Sequence, residues 1–531
     1  CDESIYRHPP SLLFGTVDKF AQLAHKVAQE GDKDSRRLFG RGKWRNGKPN
    51  EGYLPPDLII QDELHLLLGP LGSAVGLFES AIDQLCTQSD GTLPKIITST
   101  ATTRNTNLQI AGLFNRKVQI FPKPGVECDD TFFSFYKRHY DENDNEVFEA
   151  KRRYLGMMPT GRSHVWMQMR LAAIMLTHRA VFESEQSSCD ANPITGEGYS
   201  NDLIEAMDNY HSILSYFNST REVGKTQSQI QTYIKKEMLK IFNRVIRPTK
   251  MMHLIYTNND IEEGELTGRL SGEDVKSSLD SVSKKWGPAK RFASSGEKGS
   301  VPPEFIAATN MISVGLDVGR FNQILMNSMP RNKAEYIQAS SRVARSKKGL
   351  VITIHHPFKS RDVSHFEKFI EFHEKMYSYV EPISITPFTN KAVDKYLSLY
   401  IGTMLRHLCD EKFADTNGAG AINVNDVTTI KASLMKYFNK RIAKWETSDD
   451  IEIKNILKEE NLNYIEKYID IALDQWLTLK GNSGDLHYKK WRQRNYLYNE
   501  GGDLSENEDT SHWSISGSLR VIEPNSVIKI K

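Results

Sequence analysis

Cysteine is scarce in this sequence. There are five in 531 residues (Cys1, Cys86, Cys128, Cys189 and Cys409), and no two form a C-x-x-C pair. That excludes a disulfide framework and a cysteine-rich zinc site, and it suits a reducing compartment. No run of about eighteen apolar residues exists, so no transmembrane helix is expected. No signal peptide is visible at the start. Together these readings predict a cytoplasmic protein with no membrane partner. An excess of one charge sign is also missing: 69 Lys and Arg stand against 67 Asp and Glu, a net charge of +2. Any affinity for nucleic acid must therefore come from local placement of charge. A full phosphate-binding loop, G-x-x-x-x-G-K-[ST], is absent too. The segment Val223-Gly224-Lys225-Thr226 imitates its end, but Ser219 stands where the first glycine is needed. The first residue is Cys1 rather than Met, which reads as a chain whose natural start lies upstream.

What is present is a series of short apolar strands alternating with helices, and 39% hydrophobic residues allow more than one sizeable core. Such alternation predicts an α/β fold with parallel sheets. Residues 11–28 read as a strand, a turn and an amphipathic helix. Residues 31–56, rich in Gly, Lys, Arg, Asn and Pro, read as a surface loop. A strand then leads into Asp62 and Glu63, and an apolar helix spans Leu71 to Leu85. KIITSTATT is a second strand ending in small hydroxyl residues. A composition shift over 123–155 marks a boundary. Beyond it RYLGMM, HSILSYF, FIAATN and LVITIHH read as strands, with a helix over HVWMQMRLAAIMLTHRAVF. After about residue 390 the pattern is helical, residues 500–512 read as disordered or a loop, and SLRVIEPNSVIKIK reads as a hairpin. The resulting division is 1–125, 126–390 and 391–531.

Four constellations carry chemistry. Asp62 and Glu63 at a strand end, with His65 two residues on, suit a Mg²⁺ held through water by Asp62 and a water positioned by Glu63. They equally suit two acids at a helix N-terminus. Ser99, Thr100, Ala101 and Thr102 end the next strand and offer hydroxyls for a relay, or simply a turn. Gln338, Arg342 and Arg345 fall at i, i+4 and i+7, on one predicted helical face, with Tyr336, Ser340 and Val343 opposite. Two arginines so placed can grip a triphosphate, or form a solvated face. Thr309 ends an apolar strand before a loop with Gly315 and Asp317, where glycine allows close approach of a ligand. A further basic and aromatic run, HYKKWRQRNYLY (487–498), suits single-strand stacking, though a helix with its rings on the core is the preferred reading.

The order and spacing of these motifs resemble superfamily 2 helicases. The resemblance implies two RecA-like domains, the first truncated at its N-terminus, plus a mainly helical C-terminal region. It implies ATP and Mg²⁺ as cofactors, with Asp62, Glu63, His65, Gln338, Arg342 and Arg345 as catalytic residues. Ser99 to Thr102, Gly315 and Asp317 would couple to ATP. FGTVDKF and SYFNSTRE then resemble backbone-contact motifs, making Thr16, Lys19, Asn218, Arg221 and Thr309 the DNA-binding candidates. QDELHLLLGPLGSAVGLFE, ATNMISVGLDV, EYIQASSRVAR, HFEKFIEFHEKMYSYVEPISITPF and SLRVIEP are similar to the helicase subunit of DISARM anti-phage systems, the DrmA type. This similarity runs over about 5–397 and 514–526 and is thin over 400–510. It implies DNA and a second large subunit as partners. One departure is Ala344, where the family usually has Gly; inside a helix it is expected to matter little. In that family the phosphate loop lies upstream of FGTVDKF, so its lysine is expected outside this chain. The competing reading is a non-catalytic DNA-binding scaffold subunit, with the acids structural. A nuclease ranks last, for want of a metal cluster outside these motifs.

Overall fold

The computed structural model describes residues 2–25, 34–42, 53–67, 69–100, 106–121, 123, 132, 133, 135, 139–147, 150–187, 197–246, 261–288, 302–310, 318–381, 385–446, 448–482, 485–490, 494–500 and 512–519. They form two compact units. One is Cys1–Lys123 together with Pro382–Lys531, and the other is Pro124–Glu381. The segments that the sequence divides as 1–125 and 391–531 thus share one core, because their apolar faces cover each other.

In the first unit, β1 (Leu58–Gln61) leads through a single 3₁₀ turn, Leu64–Leu66, to helix α1 (Gly69–Leu85). β2 (Lys95–Thr98) lies parallel to β1, pairing Leu58 with Lys95 and Gln61 with Thr98. It is followed by α2 (Thr106–Phe114). Pro70 sits in the first turn of α1, where its fixed φ suits a helix start and its missing N–H costs nothing. Two expectations fail here. Residues 11–16 form no strand; they are bends and irregular chain before a short helix, Val17–Ala21. Residues 35–39 are not surface loop but a 3₁₀ turn with Ser35, Arg36, Arg37 and Phe39 buried. Burial of Arg36 is possible because Asp34 takes its fork, with Nε at 2.9 Å and Nη2 at 2.7 Å, while also accepting the Arg36 backbone N–H. Composition could not show that pairing.

The second unit is built on a six-stranded, all-parallel sheet. Its strands are β3 (Arg152–Met157), β4 (Ile213–Phe217), β5 (Glu263–Leu266), β6 (Phe305–Ala308), β7 (Gln323–Asn327) and β8 (Gly349–Ile354), in the order β3-β8-β7-β4-β6-β5. β4 and β6 are buried at every position, as strands covered on both faces must be. Helix α3 (His164–Gln186) covers one face, and α4 (Lys333–Ser340) packs its Tyr336 and Ala339 into the core on the other. The false phosphate loop, residues 223–226, lies within the helix Thr220–Gln229, which presents no cradle of free backbone amides.

The chain then returns to the first unit through α5 (Asn390–His407), α6 (Asp426–Trp445) and α7 (Glu459–Asn482). Helix α5 packs along α1, so the helix after the acidic pair is buried against the C-terminal region. Trp476 and Trp513 meet edge to face at 5.7 Å, and each indole N–H donates to a carbonyl, of Ala419 and Ala472. The described residues of 487–498 are not helical: Leu486–His487 and Asn495–Tyr496 pair as short strands. Tyr488, Leu497 and Tyr498 are core residues. The expected loop over 500–512 and the expected terminal hairpin lie almost wholly outside the described residues. Cys86 and Cys409 carry free thiols, and no helix among the described residues is long and apolar enough to cross a membrane.

His407 ties the two ends of this unit together. Its Nε2 lies 3.2 Å from the Ser35 hydroxyl and its Nδ1 3.1 Å from the Thr403 carbonyl. Burial, with Arg406 adjacent, pushes its pKa down from 6.5 to about 3. The folded state therefore refuses a proton that the unfolded chain accepts, and stability declines as pH falls from 6.5 toward 3. We predict that His407→Gln, which cannot take that proton, flattens the acid limb of a urea-denaturation series. An acid limb as steep as in the unaltered protein would contradict the assignment.

Candidate functional site

The parallel pairing of β1 and β2 continues past both strand ends. Ser99 N–H donates to the Gln61 carbonyl and Leu64 N–H to the Ser99 carbonyl, each at 3.0 Å. This register places the acidic pair beside the hydroxyl pair. The Ser99 hydroxyl donates to Asp62 Oδ1, which also accepts the Glu63 backbone N–H at 2.9 Å. His65 is buried, with Nδ1 3.3 Å from Glu63 Oε2 and 3.4 Å from the Thr100 hydroxyl. Asp62, Glu63, His65, Ser99 and Thr100 thus form one cluster. Asp62 and Ser99 are exposed and Glu63 half-buried. Ala101 and Thr102 lie outside the described residues.

Glu63 has φ 53° and ψ 48°, the left-handed region that non-glycine residues seldom occupy. Holding it there costs on the order of 1–3 kcal/mol, which the surrounding ladder must offset. Sequence reading missed this conformation, since nothing in D-E-L-H announces it. Glu63 stands at the N-cap position of the 3₁₀ turn that follows it and makes no side-chain cap bond there. The donor set suits a hard cation: one exposed carboxylate with a hydroxyl beside it would hold Mg²⁺, which keeps most of its waters and leans on substrate phosphates. Among the described residues no cluster of three or more His, Cys, Asp or Glu could hold a metal by itself.

In the second unit the expected helical stripe breaks. Helix α4 ends at Ser340, so Gln338 is helical and buried, whereas Arg342 is half-buried and Arg345 exposed on the chain beyond it. Two contacts stop the helix. Arg152 donates to the carbonyls of Ser341 and Val343, at 2.9–3.3 Å. Ala344 turns left-handed with φ 59°, and its N–H reaches the Phe321 carbonyl at 3.0 Å. The substitution of the usual glycine therefore falls where glycine is conformationally favoured, contrary to the expectation drawn from a continuous helix. Gly315 and Asp317 lie outside the described residues.

The DNA-contact candidates fall in both units, with Asn218 and Thr309 just past the paired ends of β4 and β6. Thr16 and Lys19 are exposed at the start of the short helix Val17–Ala21. The neighbouring Asp18, which sequence reading passed over, anchors the C-terminal segment by accepting from the Ser518 hydroxyl at 2.6 Å and the Leu519 N–H at 3.2 Å. Asn218 donates to the Asn327 and Met329 carbonyls, Arg221 is exposed in the following helix, and Thr309 is buried at the end of β6.

Residues 250–347 match the family model of the helicase conserved C-terminal domain. The chain is 30% identical over 514 residues to the DISARM protein DrmA of Bacillus paralicheniformis, covering 92% of this chain and 40% of that protein. The chain is thus similar to DrmA along most of its length and carries a match to a helicase C-terminal domain. The chain spans about 40% of the length of the curated relative it matches. Among solved structures it is similar to the DUF1998 helicase MrfA bound to DNA and AMPPNP, with TM-score 0.46 and 14% identity over 76% of this chain and 42% of that one. It is also similar to the Mycobacterium smegmatis helicase Lhr bound to ssDNA and AMP-PNP, with TM-score 0.42 and 13% identity over 82% and 40%.

The backbone at Ala344 yields a direct prediction. Ala344→Gly should stabilise the protein by about 1 kcal/mol, since the left-handed conformation costs an L-residue roughly that much. Guanidinium unfolding measures it, and a neutral or destabilising result would contradict the geometry.

Proposed function

We propose that this chain is the C-terminal part of an ATP-dependent DNA helicase or translocase of an anti-phage defence system. It would act in the cytoplasm beside a second large subunit. The observation that carries the reading is the strand-end cluster: a strained Glu63 held next to Asp62, Ser99, Thr100 and His65 by the β1–β2 register. In this reading Asp62 would hold Mg²⁺, and Glu63 orients the attacking water and takes its proton. His65, between Glu63 and Thr100, links the carboxylate to the hydroxyl pair. When bound, Mg²⁺ would neutralise charge on the phosphates. Gln338, Arg342 and Arg345 are the catalytic candidates of the second unit. Thr16, Lys19, Asn218, Arg221 and Thr309 follow the DNA backbone.

The phosphate loop is proposed to lie in an upstream segment. Two features support this. The sequence has no G-x-x-x-x-G-K-[ST]. The β1–β2 pair exposes Leu58, Ile60 and Ile97 at 46%, 62% and 44%, although parallel sheets are normally covered on both faces. Without the loop amides and lysine, several electrostatic contacts to the phosphates are lost at once. Little or no ATP turnover is therefore expected from this chain alone. A chain extended upstream through the phosphate loop should turn over ATP, faster with single-stranded DNA. Glu63→Gln in that longer chain should cut turnover by about a hundredfold or more. DNA-stimulated turnover by the present chain alone, abolished by Glu63→Gln, would overturn the proposed split. Full turnover by the Glu63→Gln protein would overturn the role of Glu63.

A further inference from the structure

The C-terminal helices hold the helix that follows the hydroxyl pair. Arg441 on α6 is 1% exposed, and its Nη2 donates to the carbonyls of Ala111 and Gly112 at 2.5 and 3.0 Å, in the last turn of α2. Its Nη1 donates to the Tyr437 hydroxyl at 3.3 Å, so the buried cation meets carbonyls and a phenol, with the Asp83 carboxylate acting on it from farther off. The negative end of α2 is a suitable place for it. The next turn of α6 completes the grip. Lys444 donates to the Asn115 carbonyl, and the Trp445 indole donates to Asn115 Oδ1 at 2.7 Å. Asn115 itself closes α2 in the left-handed region with φ 54°.

The same guanidinium lies over the Phe388 ring, 4.6 Å from its centroid. Phe388 ends the segment 385–388, through which the chain re-enters this unit from the other one. That strap runs in a groove lined by small residues of α1. A Cβ on Gly72 would sit 3.2 Å from Ile385, and one on Gly76 would sit 3.1 Å from Pro387 and 3.3 Å from the Gly112 carbonyl. Thr386 N–H donates to the Ser73 hydroxyl at 3.1 Å. Gly76 is thus accounted for by close approach of the strap, whereas a Cβ on Gly72 would first meet the Leu67 carbonyl at 2.6 Å and Gly69 has a φ of 52°.

We propose that Arg441, stacked on the 385–388 strap, is a positioning residue that holds α2 and thereby sets Ser99 and Thr100 against Asp62 and His65. The inference rests on the ATPase reading and goes beyond it, because it places the C-terminal helical region in the motor's working parts. A buried charge is a poor device for stability alone, since an apolar side chain of similar volume packs as well without desolvation. What the fork supplies is a fixed register, gripping two carbonyls and a ring at once.

The test uses the upstream-extended protein and compares Arg441→Met and Arg441→Lys with the unaltered chain. A control is Glu466→Gln, which removes one acid from the exposed Lys431 ion pair between α6 and α7. Arg441→Met should lower kcat for ATP by about tenfold to a hundredfold, with KM for ATP within about twofold because it removes no ligand contact. Arg441→Lys should fall between, and Glu466→Gln should leave kcat unchanged. If Arg441→Met does not fold, Phe388→Leu must give the same split, since it keeps an apolar core residue and removes only the ring under the guanidinium. Turnover unchanged in every Arg441 and Phe388 variant that folds overturns this inference alone. Absence of turnover in the unaltered protein overturns the functional reading beneath it.

Discussion

Everything at the candidate site depends on one short pairing, four residues of β1 against four of β2. The pairing is parallel and in register to Gln61 and Thr98, and two further backbone bonds carry it to Ser99 and Leu64. A slip of one residue would turn the side chains of one strand to the opposite face. Asp62 would then lose the Ser99 hydroxyl, and His65 would lose Thr100. So small a pairing is not self-sustaining, since two strands alone are marginal in water. It is held by the helices that leave each strand, α1 and α2, and these are packed against the C-terminal helices and the 385–388 strap.

Much of this was legible in the sequence. Short apolar runs marked β1, β2 and most strands of the six-stranded sheet, because buried parallel strands have little choice but Val, Ile, Leu and small residues. The adjacent acids and the small hydroxyls also announced themselves by position at strand ends. Other features depend on partners distant in sequence. Helix α4 stops at Ser340 because Arg152, far upstream, binds the carbonyls of Ser341 and Val343; the i, i+4, i+7 spacing of Gln338, Arg342 and Arg345 carries no sign of that. Arg36 is buried because Asp34 closes on it. Tyr488 and Tyr498 are buried outside any helix because the core claims them, against a composition that suits an amphipathic helix.

The N- and C-terminal regions share a core for a reason that no local pattern reveals. Helix α1 is buried along most of its length, and the surfaces it needs come from α5 and the strap as well as from α2. GPLGSAVG reads locally as a weak, glycine-interrupted helix start. Gly76 is explained only by a chain segment some three hundred residues later that lies against it. Strain at Glu63 belongs to the same class of fact, since a backbone conformation imposed by the ladder on both sides leaves no mark in composition.

The central claim is that the cluster at the ends of β1 and β2 is half of a nucleotide site, completed by an upstream phosphate loop. Equilibrium titration of a fluorescent ATP analogue with Mg²⁺ tests it most directly, on the present chain and on the upstream-extended chain, each with and without Asp62→Asn. The account predicts binding by the extended chain, weakened by Asp62→Asn, and none by the present chain. Equal binding by both chains, indifferent to Asp62→Asn, would contradict it.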